Sequence, residues 1–123
     1  MNKKVMIIDD DRELLNELQE ALGDSGYDIT AIDNTKSALG MAVLNQPDVI
    51  LMDLKMPGKS GFELADEIKR MSRLDRIPVI AMSSFFREDF QSLMRLCGIK
   101  RCLKKPFPLS DVISAIEDVV SRE

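Results

Sequence analysis

The sequence contains no histidine, no tryptophan, one tyrosine and two cysteines. Without histidine the chain cannot form a Ser-His-Asp or Cys-His catalytic group, and it lacks the commonest metal ligand in proteins. The two thiols, Cys97 and Cys102, fit neither a disulfide framework nor a four-ligand zinc site, so we interpret them as packing residues. Any chemistry of this chain therefore has to use carboxylates, hydroxyls and amines.

Long apolar segments and basic segments are also absent from the sequence. The longest apolar runs are four residues, whereas a membrane-spanning helix needs about 20. The first residues lack the apolar stretch and cleavage site of a secretory signal, so we expect a cytoplasmic protein. The net charge is −4 and no run of Lys or Arg exceeds two residues, which argues against direct binding of nucleic acid.

The composition is that of a globular protein, with 45% hydrophobic and 31% charged residues among 123. A chain of this length forms one core, so we expect a single domain over residues 1–123. Short apolar runs alternate with segments of helical periodicity, which predicts an α/β fold with a parallel sheet covered by helices on both faces. The predicted strands, five in a (βα)5 arrangement, are residues 4–9, 28–32, 48–53, 77–83 and 100–103.

The first, third and fourth predicted strands are the most apolar, so we expect them at the centre of the sheet. Asp11 stands where the first helix begins and is interpreted as its cap. The fourth helix is predicted near residues 88–97. The last helix is predicted to open at Ser110 and Asp111, either of which could cap it.

Charged and hydroxyl side chains follow or end four of the predicted strands. Ligands of a parallel sheet bind outside the carboxyl ends of its strands, so we expect these side chains to share one site. They are Asp9, Asp10, Asp53, Ser83 and Lys105. Three carboxylates and one amine leave about two negative charges uncompensated, which predicts a bound cation. Oxygen ligands without histidine favour Mg²⁺.

Four motifs at the ends of predicted strands resemble those of response regulator receiver domains, which belong to two-component signalling systems. The resemblance covers essentially the whole chain and implies the flavodoxin-like strand order 2-1-3-4-5. It also implies a cis peptide bond before Pro106. The motifs are VMIIDD at 5–10, DLKMPG at 53–58 with Gly61, PVIAMS at 78–83 and KKPF at 104–107.

The resemblance implies that Asp53 accepts a phosphoryl group from a sensor histidine kinase or a phosphotransfer protein. Mg²⁺ would be bound directly by Asp10 and Asp53, by Asp9 mainly through water, and by the backbone carbonyl of Lys55. A carboxylate is a usable nucleophile for this transfer when cations screen the incoming anion.

The resemblance further implies that Ser83 and Lys105 bind the phosphoryl oxygens and thereby switch the domain between two states, which a downstream output protein or domain reads. The family usually has Tyr or Phe at the position of Cys102. The usual coupling to an aromatic ring is therefore expected to be missing here, or to be replaced. The candidate replacements are Phe85, Phe86 and Phe107.

Two further features bear on signalling. Lys55 and Phe85 occupy positions that in this family modulate access of water to the acyl phosphate, and both are large, so we expect a comparatively long-lived phosphorylated state. The expected signalling face is unusually basic, which suggests an acidic partner surface or a solvated charge cluster. Its cations are Arg95, Lys100, Arg101 and Lys104.

Other functions remain open at this stage. An aspartyl phosphatase of the haloacid dehalogenase type would need Asp-x-Asp-x-Thr, and the segment from Asp53 to Pro57 lacks the second acid. A binding module that no longer uses phosphorylation is the main alternative. We expect no turnover of an external substrate, although the domain could promote its own dephosphorylation. The end at Glu123 suggests a free-standing domain, although a receiver domain cut from a longer regulator with an output domain would look the same. Dimerisation through the last two strand-helix units is compatible with the sequence.

Overall fold

The structure is a computed structural model that describes residues 2–85 and 90–121. Within these residues, five parallel strands form one sheet in the order β2-β1-β3-β4-β5, which confirms the predicted fold. The strands are β1 (Lys4–Ile8), β2 (Asp28–Ile32), β3 (Val49–Asp53), β4 (Val79–Ser83) and β5 (Ile99–Lys104). The helices are α1 (Arg12–Asp24), α2 (Ala38–Asn45), α3 (Gly61–Arg70), α4 (Phe90–Leu96) and α5 (Leu109–Val120).

The sheet has a hydrophobic core on each face, because successive side chains of a strand point to opposite sides. In β1, Met6 and Ile8 belong to the core under α2, α3 and α4, whereas Val5 and Ile7 belong to the core under α1 and α5. All five residues of β3 and of β4 are buried. The three apolar strands therefore lie at the centre, as predicted, and the more polar β2 and β5 form the edges.

Strand β2 has the predicted boundaries, and the boundaries of the other four strands differ from the predicted ones by one or two residues. The largest difference in a central strand is at β4, which begins at Val79 and not at residue 77. Strand β5 begins one residue earlier than predicted because Ile99 pairs with Val79, followed by a register shift. The predicted start of the fourth helix falls at residues 88–89, which lie outside the described residues.

The predicted start of α5 was wrong. The helix begins at Leu109, and Pro108 occupies the N-cap position without a side-chain hydrogen bond. The extended backbone of Pro108 (φ −75°, ψ 154°) already has the geometry that a helix N-cap needs. Ser110 and Asp111 therefore lie within the first turn, where the carboxylate of Asp111 still interacts favourably with the helix dipole.

Three other sequence-based expectations are confirmed by the backbone and by burial. The Asp11 carboxylate caps α1 by accepting hydrogen bonds from the backbone N–H groups of Glu13 and Leu14. The peptide bond between Lys105 and Pro106 is cis. Cys97 is buried and Cys102 is partly buried, consistent with packing roles. No helix within residues 2–85 and 90–121 is long and apolar enough to cross a membrane.

Candidate functional site

The carboxyl ends of β1 and β3 bring three carboxylates together. Asp9 and Asp10 follow β1 directly, and Asp53 is the last residue of β3. Carboxylate oxygens of the three residues all lie within 4.8 Å of one another. Asp9 is fully buried and Asp53 is 7% exposed, whereas Asp10 faces solvent. The arrangement concentrates negative charge in a place where water screens it poorly.

Lys105 reaches into this cluster from the segment after β5. Its Nζ donates a hydrogen bond to Oδ2 of Asp9 at 2.7 Å and lies 3.5 Å from Oδ1 of Asp53. The backbone N–H of Lys105 donates to the carbonyl of Ser83 at 2.8 Å, which ties the ends of β4 and β5 together. The sequence placed Lys105 near both carboxylates, and the structure adds that Asp9 is its nearer partner.

The charges of the site shift two pKa values. Burial raises the pKa of Asp53, and the neighbouring charge of Asp9 raises it further. The ammonium of Lys105 and the backbone N–H of Lys55 oppose this rise in the pKa of Asp53 only in part. Burial alone would lower the pKa of Lys105, but its hydrogen bond to Asp9 and the two carboxylate charges outweigh burial and raise it. The carboxylates thus favour the cationic form of Lys105, whose single charge leaves the three acids without full compensation.

Asp9 is held in place by two hydrogen bonds. Its Oδ2 accepts from Lys105, and its Oδ1 accepts from the backbone N–H of Asp11 at 2.9 Å. Asp11 in turn caps α1, so the start of this helix and the buried carboxylate are fixed relative to each other. Among the three acids, Asp10 is the one whose side chain is most accessible from solvent.

Ser83, the last residue of β4, is buried beside this cluster of strand ends. Its hydroxyl donates to the backbone carbonyl of Phe85 at 2.5 Å and accepts from the Phe85 N–H at 3.0 Å. The Phe85 side chain is 62% exposed. The ammonium of Lys55 lies 5.2 Å from the centroid of the Phe85 ring, within the range of a cation–π interaction.

The contact between Lys55 and Phe85 was not predicted, although both residues were singled out. Each stands two positions beyond a strand-end residue of the site, Asp53 in one case and Ser83 in the other. Because β3 and β4 are neighbours in the sheet, equal offsets from their ends place the two side chains side by side. That relation could have been inferred from the strand order.

Gly61 adjoins the site, and the sequence indicated it only as part of a motif. A Cβ atom at this residue would lie 2.5 Å from the backbone oxygen of Asp53 and 2.7 Å from Cα of Leu54. The Gly61 N–H also donates to the Leu54 carbonyl at 2.9 Å. The start of α3 therefore contacts the backbone that carries Asp53, at a distance that only glycine permits. The signal in the sequence was a glycine directly after Ser60, a good helix N-cap.

The atypical Cys102 lies in β5 and packs against the core under α2, α3 and α4. Burial raises the pKa of its thiol. Of the candidate aromatic replacements, Phe107 packs on the opposite core, under α1 and α5, and Phe86 lies outside the described residues. Phe85 is the one with a hydrogen-bond connection to Ser83.

The expected signalling face has a smaller net positive charge than the number of its Lys and Arg residues indicates. The Arg101 guanidinium forms an ion pair with Asp118 of α5 at 3.2 Å. This pair neutralises one of the four cations that the sequence placed on this face. The acidic partner surface and the solvated charge cluster both stay predictions.

The family model and the related proteins both indicate the same protein family. The family model of the response regulator receiver domain matches residues 5–117. Transcriptional regulatory protein PdtaR of Mycobacterium tuberculosis is 35% identical over 123 residues, which are 98% of this chain and 58% of PdtaR. The chain thus spans a little over half the length of that relative.

Solved structures have the same fold. Chemotaxis protein CheY4 of Vibrio cholerae superimposes with a TM-score of 0.93 at 24% identity, over 97% of this chain and 99% of that chain. The receiver domain of sensor histidine kinase PA1611 from Pseudomonas aeruginosa gives a TM-score of 0.89 at 21% identity, over 98% and 99% of the two chains. That receiver domain is described with a magnesium ion coordinated in its active site cleft.

Proposed function

The chain belongs to the response regulator receiver domains of two-component systems, and we propose that Asp53 is the residue that receives the phosphoryl group. One observation carries the proposal: Asp53 ends β3 beside a buried acid and 3.5 Å from the ammonium of Lys105. A nucleophilic carboxylate, a fixed cation and an acidic cluster in one place are what transfer to aspartate requires. The intact set of groups supports phosphoryl acceptance over the alternative of a binding module that no longer uses phosphorylation.

The proposed transfer takes place in one displacement. An oxygen of the Asp53 carboxylate attacks the phosphorus of a phosphohistidine on the partner, and the new O–P bond forms as the P–N bond breaks. The imidazole leaves with the electron pair of that bond and takes a proton from solvent. Because this chain contains no histidine, the phosphohistidine belongs to a sensor histidine kinase or a phosphotransfer protein.

The acidic cluster fits a hard divalent cation. Its donors are oxygens, and three carboxylates converge within 4.8 Å in a site where one amine compensates only part of their charge. We propose that Asp9, Asp10, Asp53 and the backbone carbonyl of Lys55 hold Mg²⁺, and the magnesium described for the PA1611 receiver domain supports this assignment. When bound, Mg²⁺ would supply positive charge opposite the carboxylates and the phosphoryl oxygens.

Ser83 and Lys105 are the proposed donors to the phosphoryl oxygens. Both lie at the carboxyl end of the sheet, and both already make hydrogen bonds there, Ser83 to Phe85 and Lys105 to Asp9. Exchange of these partners for phosphoryl oxygens would link the chemistry at Asp53 to the segment after β4. A downstream output protein or domain would read that change. In this scheme the domain carries a signal and turns over no external substrate, although it could promote its own dephosphorylation.

The phosphorylated state is proposed to be comparatively long-lived. The contact between Lys55 and Phe85 places two large side chains beside the end of β3, where they would hinder an attacking water. Substitution of both by alanine should speed the loss of phosphate, and Ser84→Ala, an exposed neighbour, serves as the control. An unchanged rate of loss in the double variant would reject this role.

A small phosphodonor such as acetyl phosphate tests the proposed function directly. Incubation with the donor and Mg²⁺, followed by intact mass spectrometry, should give one labile phosphoryl group per chain. Asp53→Asn should remain unmodified, and a chelator should suppress the modification of the native chain. Sustained hydrolysis of phosphate esters would indicate a phosphatase instead, and no addition at all would indicate a module that does not use phosphorylation.

A further inference from the structure

A second cleft, of about 490 Å³, opens at the end of the sheet opposite to Asp53. We call it the basal cleft, because it lies at the start of β4 and β5, whereas the acidic cluster lies at the carboxyl ends of the strands. Its apolar lining comes from α3, from the start of β4 and the segment before it, and from the residue that follows α4. These residues are Ala65, Ile68, Ile77, Pro78, Val79 and Cys97.

The charged residues of the basal cleft are mostly cations. Lys69, Arg76 and Lys100 line it together with a single carboxylate, Asp75. The local balance is therefore positive in a chain whose net charge is −4. A cluster of this sign is unexpected from the composition and attracts anions to the cleft.

Two of the three cations have no partner within the described residues. The ammonium of Lys69 donates to the carbonyl of Leu96 at 3.1 Å, at the end of α4. The side chains of Arg76 and Lys100 form neither a hydrogen bond nor an ion pair with residues 2–85 or 90–121. Lys69 thus stabilises the end of α4, whereas the side chains of Arg76 and Lys100 are available to a ligand.

We propose that the basal cleft binds a small organic anion, whose apolar body packs against the partly exposed Ile77 while its acidic group pairs with Arg76 and Lys100. The volume falls within the range of pockets that hold small ligands, which are typically apolar with a few placed polar groups. An inorganic anion would leave the apolar lining unused, and a neutral ligand would leave both cations unpaired. The site shares no residue with the acidic cluster, so the proposal does not depend on phosphorylation of Asp53.

Anilinonaphthalene sulfonate is a suitable probe because it combines an apolar body with one anionic group. N-phenylnaphthylamine, which lacks the sulfonate, is its neutral counterpart. Fluorescence titration should give saturable binding of the anionic probe to the full chain, and amide NMR spectra should show shifts at Gly98 and Lys100. Asp53→Asn should bind the probe as the native chain does.

Charge variants at exposed positions identify the site without disturbing the fold. Arg76→Gln combined with Lys100→Gln should weaken binding of the anionic probe about tenfold, since each partly exposed ion pair contributes modestly. Binding of the neutral probe should not change. Lys104→Gln removes one positive charge at the other end of β5 and should leave both affinities unaltered.

Three results would overturn the proposal. The first is no saturable binding of the anionic probe. The second is binding that shifts amide signals away from the basal cleft, or an affinity for the anionic probe that is the same in the double variant and the native chain. The third is a concentration-dependent shift at Gly98 without any probe, because it would mean that a second copy of the chain covers the cleft.

Discussion

The Ser83 hydroxyl donates a hydrogen bond to the backbone carbonyl of Phe85 at 2.5 Å. A hydroxyl has one proton, so it cannot donate to this carbonyl and to a phosphoryl oxygen at the same time. Phosphorylation of Asp53 should therefore release the Phe85 carbonyl. The aromatic ring next to that carbonyl is exposed and contacts Lys55, so the release would be visible at the surface of the domain.

Ser83→Ala should uncouple phosphorylation of Asp53 from the release of the Phe85 carbonyl. Phosphorylation of Asp53 should persist, because the nucleophile is intact, while the conformational response should weaken. A hydrogen bond to a charged group contributes about 1.5–3 kcal/mol, whereas a shift from 1:99 to 99:1 needs about 5.5 kcal/mol. We expect smaller amide shifts at Phe85 and Cys102 when beryllium fluoride, an acyl-phosphate mimic, is added. Ser84→Ala should respond like the native chain, and a full response in Ser83→Ala would refute the coupling.

Removal of the Asp53 carboxylate and removal of the Lys105 ammonium should have opposite effects on the free energy of unfolding. Since burial and the charge of Asp9 raise the pKa of Asp53 in the folded state, folding loses stability as the pH rises from the unfolded to the folded pKa of this acid. Asp53→Asn should therefore raise the free energy of unfolding, by about 1 kcal/mol, in urea denaturation with a chelator present.

Lys105→Met should instead lower the free energy of unfolding by about 3 kcal/mol, because it leaves the fully buried Asp9 without its cation. Lys104→Met, which removes an exposed charge from the neighbouring residue, should change it by less than about 0.5 kcal/mol. Added Mg²⁺ should stabilise the native chain more than Asp53→Asn. Equal effects of the metal on both would argue against Asp53 as a ligand.

Gly61→Ala should destabilise the domain and slow phosphorylation together. The new Cβ would lie 2.5 Å from the Asp53 backbone oxygen, so either α3 or the end of β3 has to move, at a cost of about 1–3 kcal/mol. Gly23→Ala is the matched control, because nothing lies within 4 Å of its Cβ. In α1 it should stabilise by about 0.5–1 kcal/mol. Parallel behaviour of the two variants would show that the contact with β3 is unimportant.

The single tyrosine of the chain gives a direct test at alkaline pH. Burial and the hydrogen bond from its hydroxyl to Glu117 raise the pKa of Tyr27 to about 12 from 10.0. The contribution of protonated Tyr27 to the free energy of unfolding is complete below the unfolded pKa of tyrosine. It is lost as the pH rises from that value towards 12. Ultraviolet absorbance of tyrosinate should show this raised midpoint, and Glu117→Gln should lower it. An ordinary midpoint in the native chain would mean that the link between Tyr27 and α5 is not formed.

The fold was predictable from the sequence because a parallel sheet covered on both faces requires buried apolar strands. The runs that became β1, β3 and β4 have this character and were placed at the centre of the sheet. The start of α5 was not predictable in the same way. Pro108, Ser110 and Asp111 are each acceptable near a helix N-terminus, so residue types alone do not distinguish among them.

The sequence predicted which residues of the site stand at the ends of strands. It did not predict which of these side chains contact each other. Which carboxylate Lys105 approaches more closely depends on side-chain positions that periodicity does not specify. The close approach of Gly61 to Asp53 depends on how α3 crosses the end of β3. The partner of Arg101, Asp118, is 17 residues away in another element. These relations are set by packing between elements.

The most direct test of the account is the location of the modified side chain. Borohydride reduces an aspartyl phosphate to homoserine with release of phosphate, and peptide mass mapping then identifies the position. After treatment with a phosphodonor and Mg²⁺, homoserine is expected at position 53, with Asp9 and Asp10 intact. Homoserine at either of those acids, or an unmodified Asp53 in a chain that has gained phosphate, would contradict it.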